Sequence, residues 1–337
     1  MNSAHRSIHV AALCLAPFAL AAPAFPAQLD LPSEGWASWE VAAVDGAPDW
    51  CCWSSDRKVR NAPGAACRLD GEPSGYGSRD DETTDAVRIY ARVAGGKIDR
   101  LRVLSASCPV EAATPIRDLG TVAEDDSARW LIDLAKQSDS AAVKRHGVGE
   151  HVLTALAINR GNVARDALAG MARSDARKET RKQAVFWLAL LRGSEGAEIT
   201  SSIMFNDKDP DVRQHAAFSM TQSKSPRAAA ELIRLGNTDT AGEVRAQAWF
   251  WLAHTGATEA ENAIAAALRK DADEEVRDRA LFALSQLPDD RSTRALIAAA
   301  EDRSLSRELR KKAVFWLAQS DSDSARAYLD QVLTTRF

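Results

Sequence analysis

Arg245-Ala246-Gln247-Ala248-Trp249-Phe250-Trp251-Leu252 is followed 32 residues later by Arg277-Asp278-Arg279-Ala280-Leu281-Phe282-Ala283-Leu284. The same order of Arg, Ala, Phe and a large apolar residue begins at Arg181, Arg213 and Arg310, so the five arginines are spaced 32, 32, 32 and 33 apart. An aspartate keeps time with them. Asp175, Asp207, Asp239 and Asp271 lie six residues before their arginines, and Asp302 lies eight before Arg310, which places a two-residue insertion in the last loop. A unit of this length cannot bury its own apolar face, so a fixed period means units stacked on one another in a solenoid.

The Asp and Arg at this spacing resemble the HEAT-repeat family, in its short bacterial form often called the phycobilisome-lyase-like repeat. The resemblance covers the last 190 or so residues and implies units of two antiparallel helices. It also implies hydrogen bonds between neighbouring units, with Asp175/Arg181, Asp207/Arg213, Asp239/Arg245 and Asp271/Arg277 forming the stacking ladder. Chromophore lyases share the repeat pattern alone with this chain, which is an analogy of fold.

Glu150 to Ala157 sits one period upstream without the arginine or the phenylalanine, as expected of a degenerate terminal unit. The count is then about six units, with second helices near 163–174, 195–206, 226–236, 258–270, 291–301 and 323–334. Asp209-Pro210-Asp211 fits a helix start, Asp as cap and Pro at the first helical position. Ser127 to Lys136, with Trp130, Leu131 and Leu134 at helical spacing, reads as a capping helix over the open end.

Met1 to Arg6 is short and basic, Ser7 to Ala21 is mostly apolar, and Ala22-Pro23-Ala24 offers a small-x-small cleavage signal. Residues 1–24 are therefore expected to be a signal peptide and the chain to be exported, to the periplasm. No other apolar run has the length of a membrane span. Cys51, Cys52, Cys67 and Cys108 follow the signal, even in number and confined to the part without repeats, as disulfides in an oxidising compartment would be. A bridge between adjacent Cys51 and Cys52 would close a strained ring, so each is expected to reach Cys67 or Cys108, in either pairing. Zinc is disfavoured because no CxxC pair and no nearby histidine is present.

Residues 25–118 are thus expected to form a small β-rich disulfide-bonded domain, and 119–337 the solenoid with its capping helix. Ala86 to Val93 and Ile98 to Ser105 alternate with period two around Ala94-Gly95-Gly96-Lys97, which is the signature of a hairpin. Trp36 to Val41 is read as a further strand, and Gly71 to Asp85 as a solvated loop.

The composition excludes several chemistries. Lys plus Arg total 43 against 47 for Asp plus Glu, a formal charge of −4, so a phosphate-tracking basic face and a nucleic-acid partner are not expected. There is no H-E-x-x-H, G-x-S-x-G, phosphate loop or dinucleotide fingerprint. A HEAT-repeat hydroxylase family binds iron through His-Glu pairs, whereas Glu150-His151 has the reverse order and no symmetric mate; His151 is expected at the surface of its helix. The expectation is a chain without cofactor or metal that is not an enzyme.

Two aromatic features remain. On a helical wheel with 100° per residue, Phe282 falls nearly opposite the stripe of Val276, Ala280 and Leu284. Phe186, Phe218, Phe250, Phe282 and Phe315 would stack as one stripe beside Lys182, Gln214 and Arg279. This stripe is either a partner-binding surface or sideways packing of each ring on the next unit. The following position alternates Trp187, Ser219, Trp251, Ala283, Trp316 and is assigned to the core side as interdigitating volume. Trp36, Trp39, Trp50 and Trp53 lie beside the cysteines and are expected to be core, with sugar stacking as the rival role. The expected protein is mainly α, a HEAT-like α-solenoid after a β-rich disulfide-bonded domain, acting as an exported scaffold for another protein of the cell envelope. The alternative is a ligand-binding or lyase-like protein with a site between the two parts.

Overall fold

The computed structural model describes residues 29–53, 66–71, 75–77, 82–137 and 148–334. The signal-peptide expectation at 1–24 and part of the expected loop at 71–85 lie outside them.

Among the described residues, eight strands precede thirteen helices. β1 (Gly35–Ala42), β5 (Ala86–Ala94), β6 (Lys97–Ser105) and β8 (Ile116–Thr121) make a four-stranded sheet in the order β6-β5-β1-β8, with β1 parallel to β8 and the other pairs antiparallel. The hairpin β5-β6 turns where it was expected, at Gly95 and Gly96, whose φ values of 59° and 70° are cheap for glycine alone. β2 (Cys51–Trp53) pairs with β4 (Gly75–Gly77), so part of the stretch read as loop is a strand. β3 (Cys67–Arg68) pairs with β7 (Val110–Glu111).

Both faces of the sheet are covered, because period-two alternation loads each with large side chains. On one face Trp39, Val41, Val87, Ile89, Leu101 and Val103 are buried in the same apolar cluster as the helices. Trp39 donates its indole N–H to Ser127 Oγ at 2.9 Å and meets Trp130 edge to face at 5.0 Å. On the other face Trp36, Tyr90 and Leu104 pack with Leu69 and the cysteines. Cys51 is bonded to Cys108 and Cys52 to Cys67, which resolves the open pairing. Arg100, buried beside them, donates to the carbonyls of Leu69, Asp70 and Gly71 and so fixes the turn after β3. The boundary expected at 118/119 falls inside β8, and the sheet shares its core with the solenoid.

The helices are α1 (Glu124–Gln137), α2 (Val148–Ile158), α3 (Asn162–Ser174), α4 (Lys178–Leu191), α5 (Gly193–Asn206), α6 (Pro210–Gln222), α7 (Ala228–Thr238), α8 (Gly242–Ala253), α9 (Ala260–Lys270), α10 (Glu274–Ser285), α11 (Asp289–Glu301), α12 (Arg307–Ala318) and α13 (Asp323–Thr334). The six pairs α2/α3 to α12/α13 are the six units expected, and α1 packs on the first of them. The first helices α4, α6, α8, α10 and α12 form one row, the second helices another. Asp209 caps α6 by accepting from the Asp211 N–H at 3.0 Å, with Pro210 at the first helical position. Gly236 is needed for close approach: a Cβ there would lie 2.5 Å from the buried Trp249 ring.

The ladder joins each arginine to the aspartate of the following unit. Arg181 grips Asp207 with Nε and Nη2 at 2.8 and 3.1 Å, Arg213 grips Asp239 at 2.7 and 2.9 Å, and Arg245 grips Asp271 at 2.9 and 2.8 Å. Each Nη1 donates instead to the main-chain carbonyl of the aspartate six residues earlier, namely Asp175, Asp207 and Asp239. The aspartates also accept from the N–H two residues on, at Asp209, Ala241 and Asp273. One carboxylate thus shapes its own loop and holds the preceding helix. Burial alone would raise the Asp239 carboxyl, but the Arg213 and Ala241 hydrogen bonds outweigh it and hold it below the ordinary range. The insertion breaks the rhythm: Arg277 keeps the Asp271 carbonyl at 2.7 Å, while Asp302 is taken by Arg269 at 2.7 Å.

Arg245→Ala should destabilise the protein by about 3 kcal/mol, because it strands the nearly buried Asp271 carboxylate. Arg279→Ala, which removes an exposed pair with Glu275, should cost less than about 1 kcal/mol. Urea unfolding of the two variants checks this; equal losses would refute the ladder's role. Unreduced protein should weigh four hydrogens less than the reduced chain, given its two bridges. Fragmentation between Cys51 and Cys52 should release Cys108 with the first and Cys67 with the second.

Candidate functional site

The outward face of the first-row helices is set by heptad-like arithmetic within each unit. Along α8 and its C-cap, Glu243, Gln247, Phe250 and His254 are among the residues left partly or fully exposed, at steps of four, three and four, which is one side of a helix. Repetition at 32 residues turns each into a row. Phe186, Phe218, Phe250 and Phe282 are half-buried, and Phe315, in the last unit, is 54% exposed.

Sideways packing accounts for part of each phenylalanine: every ring packs on its neighbour and still presents an edge to solvent. The alternation of the next position decides how they pack. Where the following unit has Ser219 or Ala283, the phenylalanines lie parallel, Phe186 on Phe218 at 5.9 Å and Phe250 on Phe282 at 6.0 Å. Where it has tryptophan, the phenylalanine meets that indole instead: Phe218 meets Trp251 at 4.8 Å and Phe282 meets Trp316 at 5.1 Å. Trp187, Trp251 and Trp316 also touch the phenylalanines of their own helices, at 5.3, 4.9 and 5.1 Å.

The result is an unbroken chain of rings through five units. It continues onto the sheet end, where Trp50 meets Trp187 edge to face at 6.0 Å. With adjacent helices 8–10 Å apart, the strip is roughly 35–40 Å long. The assignment of Trp187, Trp251 and Trp316 to the core is therefore corrected: all three are half-buried members of the strip. At this position the indole spreads over the small residue of the neighbouring unit; the signal was the large-small alternation itself. The Trp251 indole N–H lies in the strip, buried and without an acceptor.

Polar rows border the rings. On one side stand Gln183, His215, Gln247, Arg279 and Lys312, and on the other Gln222, His254, Gln286 and Gln319, with Leu190 at that position in the first of these units. Burial, with the charge of Lys182, pushes the His215 imidazole down. Nearer the helix starts is an acidic row of Glu179, Asp211, Glu243, Glu275 and Glu308, where the helix dipoles favour anions. Glu274, Glu275, Asp278, Glu308 and Lys312 line a shallow cleft between α10 and α12, with Lys312 paired to Asp278 at 2.5 Å.

The remaining candidates serve the fold. Trp36 and Trp39 are core, Trp50 is half-buried, and the side chain of Trp53 lies outside the described set. The sulfurs of Cys51 and Cys108 lie near the Asp49 carboxylate, but they are bonded to each other and so are not thiolate ligands. His151 is half-buried rather than a free surface residue: its Nε2 lies 3.2 Å from Arg102 Nη1, on the strand that packs against α2. Arg102 also donates to the Gly71 carbonyl, so the contact ties the disulfide layer, sheet and first unit together. Burial, reinforced by the Arg102 charge, pushes the imidazole down to about 4.

Residues 165–253 and 238–307 match the family of HEAT repeats. No curated protein matches the chain. Among solved structures, human deoxyhypusine hydroxylase in complex with glycerol is similar at 14% identity, over 60% of this chain and 76% of that one, with a TM-score of 0.34. The Escherichia coli protein YibA is similar at 18% identity, over 62% of this chain and 79% of that one, with a TM-score of 0.37. The hydroxylase is an enzyme by name, which overturns the expectation that this chain is not one: repeats of this kind and an empty motif search do not argue against catalysis, because function resides in sites placed on a fold.

The half-buried His151, held beside Arg102, makes stability depend on pH. Unfolded, the imidazole takes a proton below its ordinary 6.5, whereas folded it stays neutral to about 4. Between these values the unfolded state binds more protons, so stability falls as the pH falls, by about 3 kcal/mol at most. Urea unfolding at pH 7 and pH 4.5 should show a smaller loss for His151→Gln than for the wild type. Equal losses would mean that His151 is not buried neutral.

Proposed function

We propose that this chain is an exported binding protein whose repeats hold a partner protein along the aromatic strip. The continuous chain of rings from Trp50 to Phe315 is the observation that carries this reading. Stacking neighbouring units needs apolar side chains on the flanks of each helix. It does not need a large ring on the outward side of every one, next to polar rows. Aromatic edges grouped on a rigid surface supply contact area at little cost in side-chain entropy. The bordering glutamines supply donors and acceptors suited to another chain's peptide groups. A basic start, an apolar stretch and a small-x-small site at residues 1–24, together with two disulfides, support delivery to the periplasm.

Phe218→Ser/Phe250→Ser changes two half-buried rings in the middle of the strip. Each should cost about 2 kcal/mol, below the range for a fully buried phenylalanine. The protein should remain folded, and capture of its partner from an envelope extract should fall more than about tenfold, the size expected for losing interface anchors. Undiminished capture by a folded double variant would overturn the reading. Thermal unfolding of the same sample separates lost binding from lost structure.

A further inference from the structure

We infer that what the aromatic strip binds is an extended, strand-like segment of another polypeptide, uncharged and apolar at alternate positions, laid across the helices. This rests on the proposed reading of the strip as the binding surface and adds the form and chemistry of its occupant. The polar rows are spaced for a single chain. They stand three or four positions before and after the rings on each first-row helix, as Gln247 and His254 do about Phe250 and Trp251. At 1.5 Å per residue that is about 5 Å to either side. Paired strands hydrogen-bond across about 4.8 Å, so a strand over the rings would turn one edge to each row. A bound helix would fill the same width, but its main-chain groups are spent internally and would leave the rows unused.

The rows also hold the groups that such an edge requires. Gln222 and Gln286 donate from Nε2 to the hydroxyl of the residue before each, Thr221 and Ser285, at 3.0 Å. That contact orients the carboxamides, and neither Oε1 receives a hydrogen bond among the described residues. His254 Nδ1 lies 2.9 Å from the Phe250 carbonyl, which can only accept, so Nδ1 carries the proton and Nε2 is the acceptor of the neutral ring. Three successive units thus present an acceptor on one side of the rings, the complement of a strand edge that offers main-chain N–H groups. On the other side, the carboxamides of Gln183 and Gln247 have no partner among the described residues.

The rings set the alternation. The parallel pairs Phe186/Phe218 and Phe250/Phe282 stand 5.9 and 6.0 Å apart. Alternate side chains of a strand are about 6.7 Å apart, whereas a polyproline II helix returns to one face only every ~9.3 Å. Because these rings stack on one another, they offer edges rather than faces, which does not suit the flat stacking of a sugar. Charge argues for a neutral segment: the rows beside the central rings hold glutamine and histidine, while Arg279 and Lys312 are paired with Glu275 and Asp278. At about 3.3 Å per residue, a strip of roughly 35–40 Å holds about 11 residues.

Fluorescence anisotropy with the full chain tests this, using a labelled twelve-residue peptide that alternates leucine and threonine and should bind with a Kd below about 100 µM. The same residues rearranged to helical spacing should bind about tenfold more weakly or worse. So should the alternating peptide with esters in place of its central amides, which removes N–H donors without adding bulk. Gln222→Leu/Gln286→Leu should also weaken binding about tenfold, although it adds apolar area; Leu190 already occupies this place in an earlier unit, and circular dichroism verifies folding. An alternating peptide that does not bind, an ester form that binds equally, or a folded glutamine variant that binds as well as the wild type would each overturn the inference. Should one of these occur while Phe218→Ser/Phe250→Ser has lost its envelope partner, the strip remains a binding surface, for a folded partner. A peptide that binds the phenylalanine variant undiminished is not held by the strip, and that too would overturn the inference.

Discussion

The bidentate grip of an arginine on the next unit's aspartate is the constraint from which the stack follows. Arg181 and Asp207 expose only 4% and 5% of their side chains, and such a pair is tolerable only when nearly every donor and acceptor is used. The geometry meets that demand: two donors go to the carboxylate, one to a main-chain carbonyl, and the carboxylate takes a turn N–H as well. Helices of adjacent units are thereby held at one separation and one rotation. A greasy flank alone would permit sliding; the fork of the guanidinium does not.

That fixed step is what turns single side chains into rows. Phenylalanines one period apart come within stacking distance because the ladder sets the spacing, and the alternate tryptophans find room because Ser219 and Ala283 face them. The same regularity makes the last unit conspicuous. With Arg277 denied its aspartate by the two-residue insertion, and Arg310 lacking one, the ladder weakens toward the end that exposes Phe315 and Val314.

The N-terminal end is treated in the opposite way. A four-stranded sheet shares its apolar face with α1 and α2 and is backed on its other face by a layer closed with two disulfides. Short strands such as β2 and β3 have little area with which to hold themselves, and cross-links that limit the unfolded chain compensate for it. Arg100 and Arg102 serve the same layer by satisfying the carbonyls of Leu69, Asp70 and Gly71, which would otherwise be left inside the protein without donors.

Periodicity located the six units and alternation the hairpin at Gly95-Gly96, while the resemblance to HEAT repeats supplied the paired helices and the ladder residues; each rests on local spacing that neighbouring helices or strands must obey. The sense of the ladder was not local: nothing in Asp175 or Arg181 says that the arginine reaches forward to Asp207. Nor could spacing choose between Cys67 and Cys108 for Cys51, because that depends on which strands pair. The wheel placed Trp187 inside because it treats a helix as a cylinder with one neighbour, whereas this position lies at the edge of two stacked units and leaves the indole half-buried against the rings beside it. His151 was read as a surface residue for the same reason, its cover coming from a strand some fifty residues earlier in the chain. Sequence determined what repeats; tertiary structure decided which side chains meet across the repeats, because those contacts depend on the distance and rotation between units that no single unit contains.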